Sequence, residues 1–485
     1  MSSNCDNHVV EFLEDLNMDE DFDYNDAEDL RFSVERYEEM IRNKDQYFFD
    51  AQSFEGIIDY FIEKNDPIKA LQVIEYALSQ HAYAAIFIIR KAQLFAVTNR
   101  INEALTLLEK AETLESSNPE IYQLRATIFE KKEQFEAAII EYEKALSFAE
   151  ETDDIYLHLA YAYENLGNYE QAIVYLKQCL EQNMENQDAL YELAFCFDVL
   201  DKPEESINFY LQFINNDPYS FAAWYNLGNA YTKAELFEKA LDAYDYAIII
   251  NESFASAYFN KGNALANLER YEQAIEVYKR TYEIEQPSAE TFCSIGECYE
   301  KLEQMDDARA YYKKAVKLDP NLADAWFGIG VTLDSEDRCY ESLHFYHKAI
   351  SIDQSVPDYF FALADSHYKL GNFDKAEDAY EKVLELTAND IEVWLDFSAL
   401  YYEQNKIQEA IDCVQEGIKS NPDAAELYYR MVAYQFSAGK QQNAINFLEI
   451  GLAIDASKHE ILFEYLPQLK ENKVILEIIN KHLLN

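Results

Sequence analysis

The sequence predicts an all-α chain built from tandem helix pairs, on three observations. A 34-residue spacing recurs through twelve units without an insertion, small residues fall at helical intervals inside each unit, and only 11 glycines and 9 prolines interrupt 485 residues. A fixed period of about 20–50 residues marks a repeat array, in which each unit buries its apolar face against its neighbours. With so little glycine, folds that depend on many tight turns are excluded, as are collagen-like and Pro- or Gly/Ser-rich chains.

The second helix of each unit is marked by a small residue at Ala70, Ala104, Ala138, Ala172, Ser206, Ala240, Ala274, Ala308, Ser342, Ala376, Ala410 and Ala444. Seven residues, or two helical turns, further on lies a mostly small column running from Ala77 to Gly451, with Cys179, Phe213 and Thr281 among its members. Both columns therefore share one face. Twelve residues before the first column, the first helix carries its own small set, including Ala92, Ala126, Gly228, Gly262, Gly296, Gly330 and Ala364. Small side chains at these crossing points let two helices approach closely. Large residues stand between them: Phe54, Tyr122, Tyr156, Trp224, Tyr258, Trp326, Trp394 and Tyr428 on first helices, and Tyr142, Tyr210, Tyr244, Tyr278, Tyr312, Tyr346 and Tyr380 on second helices. They are read as core, filling the gaps between stacked hairpins.

These motifs resemble the tetratricopeptide repeat (TPR). The stretch W-Y-N-L-G-N-A-Y…F-E-K-A-L-D-A-Y-D-Y-A over 224–247 follows the family consensus, and 258–282 and 326–349 are similar. The resemblance covers twelve units over 51–458 and implies a right-handed superhelical solenoid of antiparallel helix pairs, with ligands on a concave face formed by the first helices. The family's inter-repeat proline is kept at Pro218, Pro320 and Pro422 but replaced elsewhere, for example by Glu150 and Ala388.

Outside the array, 459–485 keeps a helical apolar spacing and is read as a C-terminal capping helix or degenerate repeat. At the other end, Val34, Tyr37, Met40 and Ile41 mark a capping helix within 33–50. Residues 1–32 form an acidic segment, with eleven acids and no Lys or Arg in the first 30 residues, and are expected to be disordered. Within it, Val9, Phe12, Leu13 and Leu16 share one helical face, either as a motif that folds on a partner or as incidental apolar residues in a solvated tail.

Charge narrows the function. Against 40 Lys and Arg stand 91 Asp and Glu, a net charge of −51, which opposes direct nucleic-acid binding. Seven cysteines without paired zinc-ligand spacing favour a reducing compartment. No basic and apolar leader opens the sequence, and no apolar run of about 18 residues follows, so a cytoplasmic protein without membrane insertion is expected.

The family's carboxylate clamp requires Lys at the fifth place of a unit, and none of the twelve fifth places holds one. That column is largely aromatic instead, with Tyr191, Tyr225, Phe259, Phe327 and Phe361. Two places before the large first-helix column stand eight acids in twelve units, Asp324 and Asp358 among them. Together they suit a groove for basic and apolar peptide side chains, although acids in a first turn also complement the helix dipole. Asn226 and Asn260 at the sixth place, with Asn229 and Asn263 at the ninth, look like the asparagine ladder by which some tetratricopeptide superhelices hold an extended backbone. An amide offers that backbone both a donor and an acceptor.

Catalysis finds no constellation. Glu341, His344 and His347 share a helix without a matching set on a neighbour, and Cys293 and Cys298 have no histidine partner in the pattern. The expectation is therefore a non-enzymatic interaction scaffold or adaptor without metal or cofactor, binding a basic partner segment. A chaperone or assembly factor for basic clients is the alternative, and the oligomeric state stays open.

Overall fold

The computed structural model describes residues 24–483, so Val9, Phe12, Leu13 and Leu16 lie outside the described residues. All secondary structure among the described residues is helical, and it falls into two compact bodies that divide between Lys239 and Ala240. The first holds repeats 1–5 and the first helix of repeat 6. The second holds repeats 7–12 and the C-terminal helices. Repeat 7 shows the plan, with a first helix Ala255–Asn267 and a second helix Tyr271–Ile284 packed on it.

One backbone device makes each hairpin. Between the two helices stands a residue with positive φ, and these residues are spaced by 34: Asn65, Asn99, Glu133, Gly167, Asp201, Glu235, Glu269, Glu303, Asp337, Gly371, Asn405 and Gly439. Left-handed backbone there lets the next N–H reach back to the helix end, as Asn168 does to the Tyr163 carbonyl at 2.9 Å and Gln304 to that of Tyr299 at 2.9 Å. Only three of the twelve are glycine, so this column carried no glycine signature in the sequence.

Close approach at the crossings explains the small column of the first helices. A Cβ added at Gly330 would lie 2.5 Å from the Tyr346 ring, and one at Gly296 would lie 2.8 Å from that of Tyr312. Both tyrosines are fully buried. The large first-helix residues do more than fill space. Trp326 Nε1 donates to the Pro320 carbonyl at 2.9 Å, Trp394 Nε1 to Ala388 at 2.9 Å, and the Tyr122 hydroxyl to Ser116 at 2.7 Å. Each bond ties a helix to the loop entering its own repeat, six residues back, whether or not that loop holds proline.

Both ends differ from the sequence expectation. The N-terminal helix runs Tyr24–Asn43, so it starts inside the 1–32 acidic segment and stops short of residue 50. Val34, Tyr37 and Met40 are buried on repeat 1 with Leu30 packed beside them, while Ile41, expected on that face, is 52% exposed. Leu30 extends the apolar face one turn toward the N-terminus and draws the helix start with it. At the C-terminus, Pro467 breaks the chain into the helices Ile461–Tyr465 and Lys473–Leu483, joined through the 3₁₀ turn Pro467–Glu471, so 459–485 is not one capping helix. Leu462, Phe463, Leu469, Ile475 and Ile479 pack over Tyr429, Val432 and Leu448 of repeat 12.

Candidate partner-binding face

The candidate residues of the fifth place lie one turn into the first helix of each repeat. In the first body, Tyr191 of repeat 5 and Tyr225 of repeat 6 are half-buried and meet edge to face, with centroids 6.3 Å apart. They wall a cavity of about 420 Å³ together with Phe195, Asn229, Asp198 and Lys233. Lys233 Nζ lies 3.1 Å from Asp198, and Phe195 is 49% exposed. Asn226, expected as a ladder rung, is only 1% exposed and donates Nδ2 to the Leu190 carbonyl at 3.1 Å, so its amide is committed inside the fold.

In the second body the aromatic column is half-buried and leans on second-helix tyrosines. Phe259 meets Tyr278 at 5.6 Å, Phe327 meets Tyr346 at 5.6 Å and Phe361 meets Tyr380 at 6.0 Å, while Phe327 also meets Tyr359 of the next first helix at 4.9 Å. Asn260 and Asn263 are half-buried on the same helix, and the Tyr278 hydroxyl donates to Asn263 Oδ1 at 2.7 Å. The Asn263 carbonyl group is thus engaged by its own repeat rather than presented as an empty acceptor. Asp324 accepts from the buried Tyr359 hydroxyl of the next repeat, and Asp358 is exposed in the first turn of its helix.

A row of carboxylates deeper along the first helices was missed by the sequence reading. Glu164 of repeat 4 faces Glu192 of repeat 5 and accepts from Cys196 Sγ at 3.2 Å. Burial, then the Glu192 charge, holds its carboxyl up at about 7. In the second body, burial and the neighbouring Asp365 and Glu392 raise Asp396 to about 6. Glu297 is raised by burial, then by Asp324 and Glu300. These acids occupy the sixth, ninth and twelfth places in different repeats, so no single column reveals them. The available signal was pairwise: the twelfth place of repeat 4 against the sixth of repeat 5, and the ninth of repeat 10 against the sixth of repeat 11.

The described cysteines Cys179, Cys196, Cys293, Cys298, Cys339 and Cys413 are buried and free of disulfides, and burial pushes Cys298 up to about 12 and Cys339 to about 11. His347 stands 6.4 Å, ring to ring, from His367, and burial followed by Lys375 depresses both imidazoles. Among the described residues no group of three or more His, Cys, Asp or Glu is placed to hold a metal ion, and no helix is long and apolar enough to cross a membrane.

Family models for the tetratricopeptide repeat match residues 221–254, 255–287, 289–322 and 367–433. A model described as anaphase-promoting complex, cyclosome, subunit 3 matches 131–213. No curated protein matches the sequence. Among solved structures, YrrB, described as a TPR protein with an unusual peptide-binding site, is 24% identical over 38% of this chain and 95% of its own, with a TM-score of 0.32. MamA is 20% identical over 35% of this chain and 92% of its own, at 0.31. The C-terminal part of a TPR repeat-containing protein from Cytophaga hutchinsonii is 17% identical over 50% of this chain and 99% of its own, at 0.41.

Proposed function

Because the chain is a tetratricopeptide-repeat protein, we propose that it is a non-enzymatic interaction scaffold whose first-helix face receives a basic segment of a partner protein. The observation that carries the proposal is the set of carboxylates on that face that are held above their ordinary range by burial and by one another, at Glu164 and Glu192 and again at Asp396 beside Asp365. Such acids repel each other and are partly stripped of water, so a lysine or arginine placed between them relieves both costs. The half-buried aromatic rings beside them offer faces to the same cations. With a net charge of −51, long-range attraction speeds encounter with a basic segment and weakens as salt rises.

The test is to capture the full chain from its own cells at low salt, elute with a rising salt gradient, and identify what leaves. One stoichiometric basic partner that elutes with salt supports the scaffold. A spread of unfolded basic clients supports the chaperone reading in its place, and an acidic or salt-insensitive partner overturns the charge argument.

A further inference from the structure

One hairpin departs from four others of the array, and the cavity in the first body lies beside it. In repeats 3, 7, 8 and 10 the second-helix tyrosine sends its hydroxyl toward the far half of its own first helix. Tyr142 reaches Glu130 at 2.9 Å, Tyr278 reaches Asn263 at 2.7 Å, Tyr312 reaches Glu300 at 2.8 Å, and Tyr380 reaches Asp365 at 2.8 Å. In repeat 5, Tyr210 turns the other way and donates to the Leu190 carbonyl, near the helix start, at 2.7 Å.

Three residues account for the turn. Phe195 stands where repeats 7 and 10 place an acceptor, so the usual bond has no partner. The other candidate acceptor, Asp198, is drawn to Lys233 of the next repeat. Asn226 shares the Leu190 carbonyl with Tyr210 and braces that end. A fourth residue props the hairpin open. Phe213 occupies the second small column, and in repeat 11 the same place is Gly417, against Trp394 of its own first helix. Phe213 is buried there, and Gln187–Val199 packs more extensively on Phe221–Lys233 than on its own partner Pro203–Asn216. Beside this hairpin lies the cavity of about 420 Å³, lined by Ala194, Phe197 and Ser206 and by the rings of Tyr191, Phe195 and Tyr225.

We propose that this cavity is a specificity pocket for one large aromatic side chain carried on the partner segment. The inference rests on the reading of that segment as basic. The size suits a ring with its flanking atoms, and the walls are themselves rings able to meet it edge to face. The charges at the cavity, Lys233 and Asp198, are paired with each other, so the lining offers an occupant of either sign no unpaired partner, whereas a neutral ring needs none. Glu192, next to Tyr191 in the chain and facing Glu164 of repeat 4, places a carboxylate pair on the other side of the same helix. Cations flanking the aromatic residue would sit there, so charge complementarity favours a basic protein segment over a free apolar molecule.

The experiment uses the full chain and short fluorescent lysine-rich peptides that differ only in a central Trp, Ala or Arg, read by polarisation at low and high salt. The Trp peptide should bind about ten-fold or more tighter than the Ala and Arg peptides. Ala194→Leu, which fills the floor, should abolish that gain while leaving the Ala peptide unchanged. Phe195→Ala, which removes a half-exposed wall and spares the core, should reduce it. Equal binding of Trp and Ala peptides, or a gain that survives Ala194→Leu, overturns the pocket. If the basic peptides fail to bind, or bind independently of salt, the proposed function falls instead. The pocket is then read with N-acetyl-tryptophanamide alone, which should raise the unfolding temperature of the unaltered chain and not of Ala194→Leu; no shift overturns the pocket.

Discussion

Substituting Gly330 by alanine should destabilise repeat 9 by about 1–3 kcal/mol, the range for forcing extra volume into a packed core. The added Cβ would stand 2.5 Å from Tyr346 Cε1 and 2.7 Å from Cδ1, distances at which something must move. Tyr346 is 1% exposed and Phe327 packs on it at 5.6 Å, so the ring has nowhere to swing. The repeats themselves supply the rescue. Alanine stands opposite a tyrosine at Ala126 with Tyr142 and Ala364 with Tyr380, where the crossing is set a little wider, and opposite the slimmer leucine at Ala92 with Leu108 and Ala160 with Leu176, as does valine at Val432 with Leu448. Tyr346→Leu should therefore lose its own packing yet recover much of the Gly330→Ala cost in the double variant, giving a favourable coupling of about 1 kcal/mol. Because arrays need not unfold in one step, the assay is amide hydrogen exchange read on the helices Ala323–Asp334 and Cys339–Ile352, beside thermal unfolding by circular dichroism. Unchanged protection in Gly330→Ala, or a double variant no better than the sum of its singles, refutes the close-approach argument.

Two further outcomes follow from particular residues. Glu269 and Glu303 hold left-handed backbone at φ 59° and 58°; replacing each with glycine should relieve about 1 kcal/mol of strain against a smaller gain in unfolded-chain entropy, raising the thermal midpoint, and a fall in that midpoint would show that the glutamate side chains hold the turns. Glu164 has a folded pKa of about 7 against an ordinary 4.5, so its contribution to stability is full below the ordinary value and is lost as pH rises through about 7; Glu164→Gln should stabilise by about 1 kcal/mol at about pH 8, after solvent screening of a half-exposed group, and by little at about pH 4, whereas an equal effect at both would remove the repulsion argument.

The fold was legible because packing in a repeat array is written as columns. The small residues, the large residues between them and the register all appear as periods in the chain, and each maps onto a crossing seen in the structure. The turns were less legible, since nine of the twelve left-handed positions hold Asn, Asp or Glu, and only the backbone reveals what they share. The candidate face was half legible. Tyr191, Tyr225 and Asn229 line one cavity, which their columns did not announce, and Asn226 is consumed by the Leu190 carbonyl, which no spacing announces either. The ends were read least well, because Leu30 and Pro467 act outside the period.

What a period conceals is the residue that breaks it. Phe213 passes as one member of a mostly small column and Phe195 as one more aromatic, and each taken alone is an ordinary substitution. Only their meeting with Tyr210 in one hairpin has a consequence: one removes the acceptor, the other removes the room, and the ring that closes the crossing elsewhere turns away. The array has eleven other solutions to the same packing problem in its own sequence, several built from a tyrosine over a small residue, so a hairpin left open costs stability that a single reversion would return. Phe213→Ala should close repeat 5 and shrink the cavity while raising the melting temperature, and it should lower affinity for a segment carrying an aromatic residue. A variant that gains stability and keeps that affinity would mean the open hairpin serves no recognition.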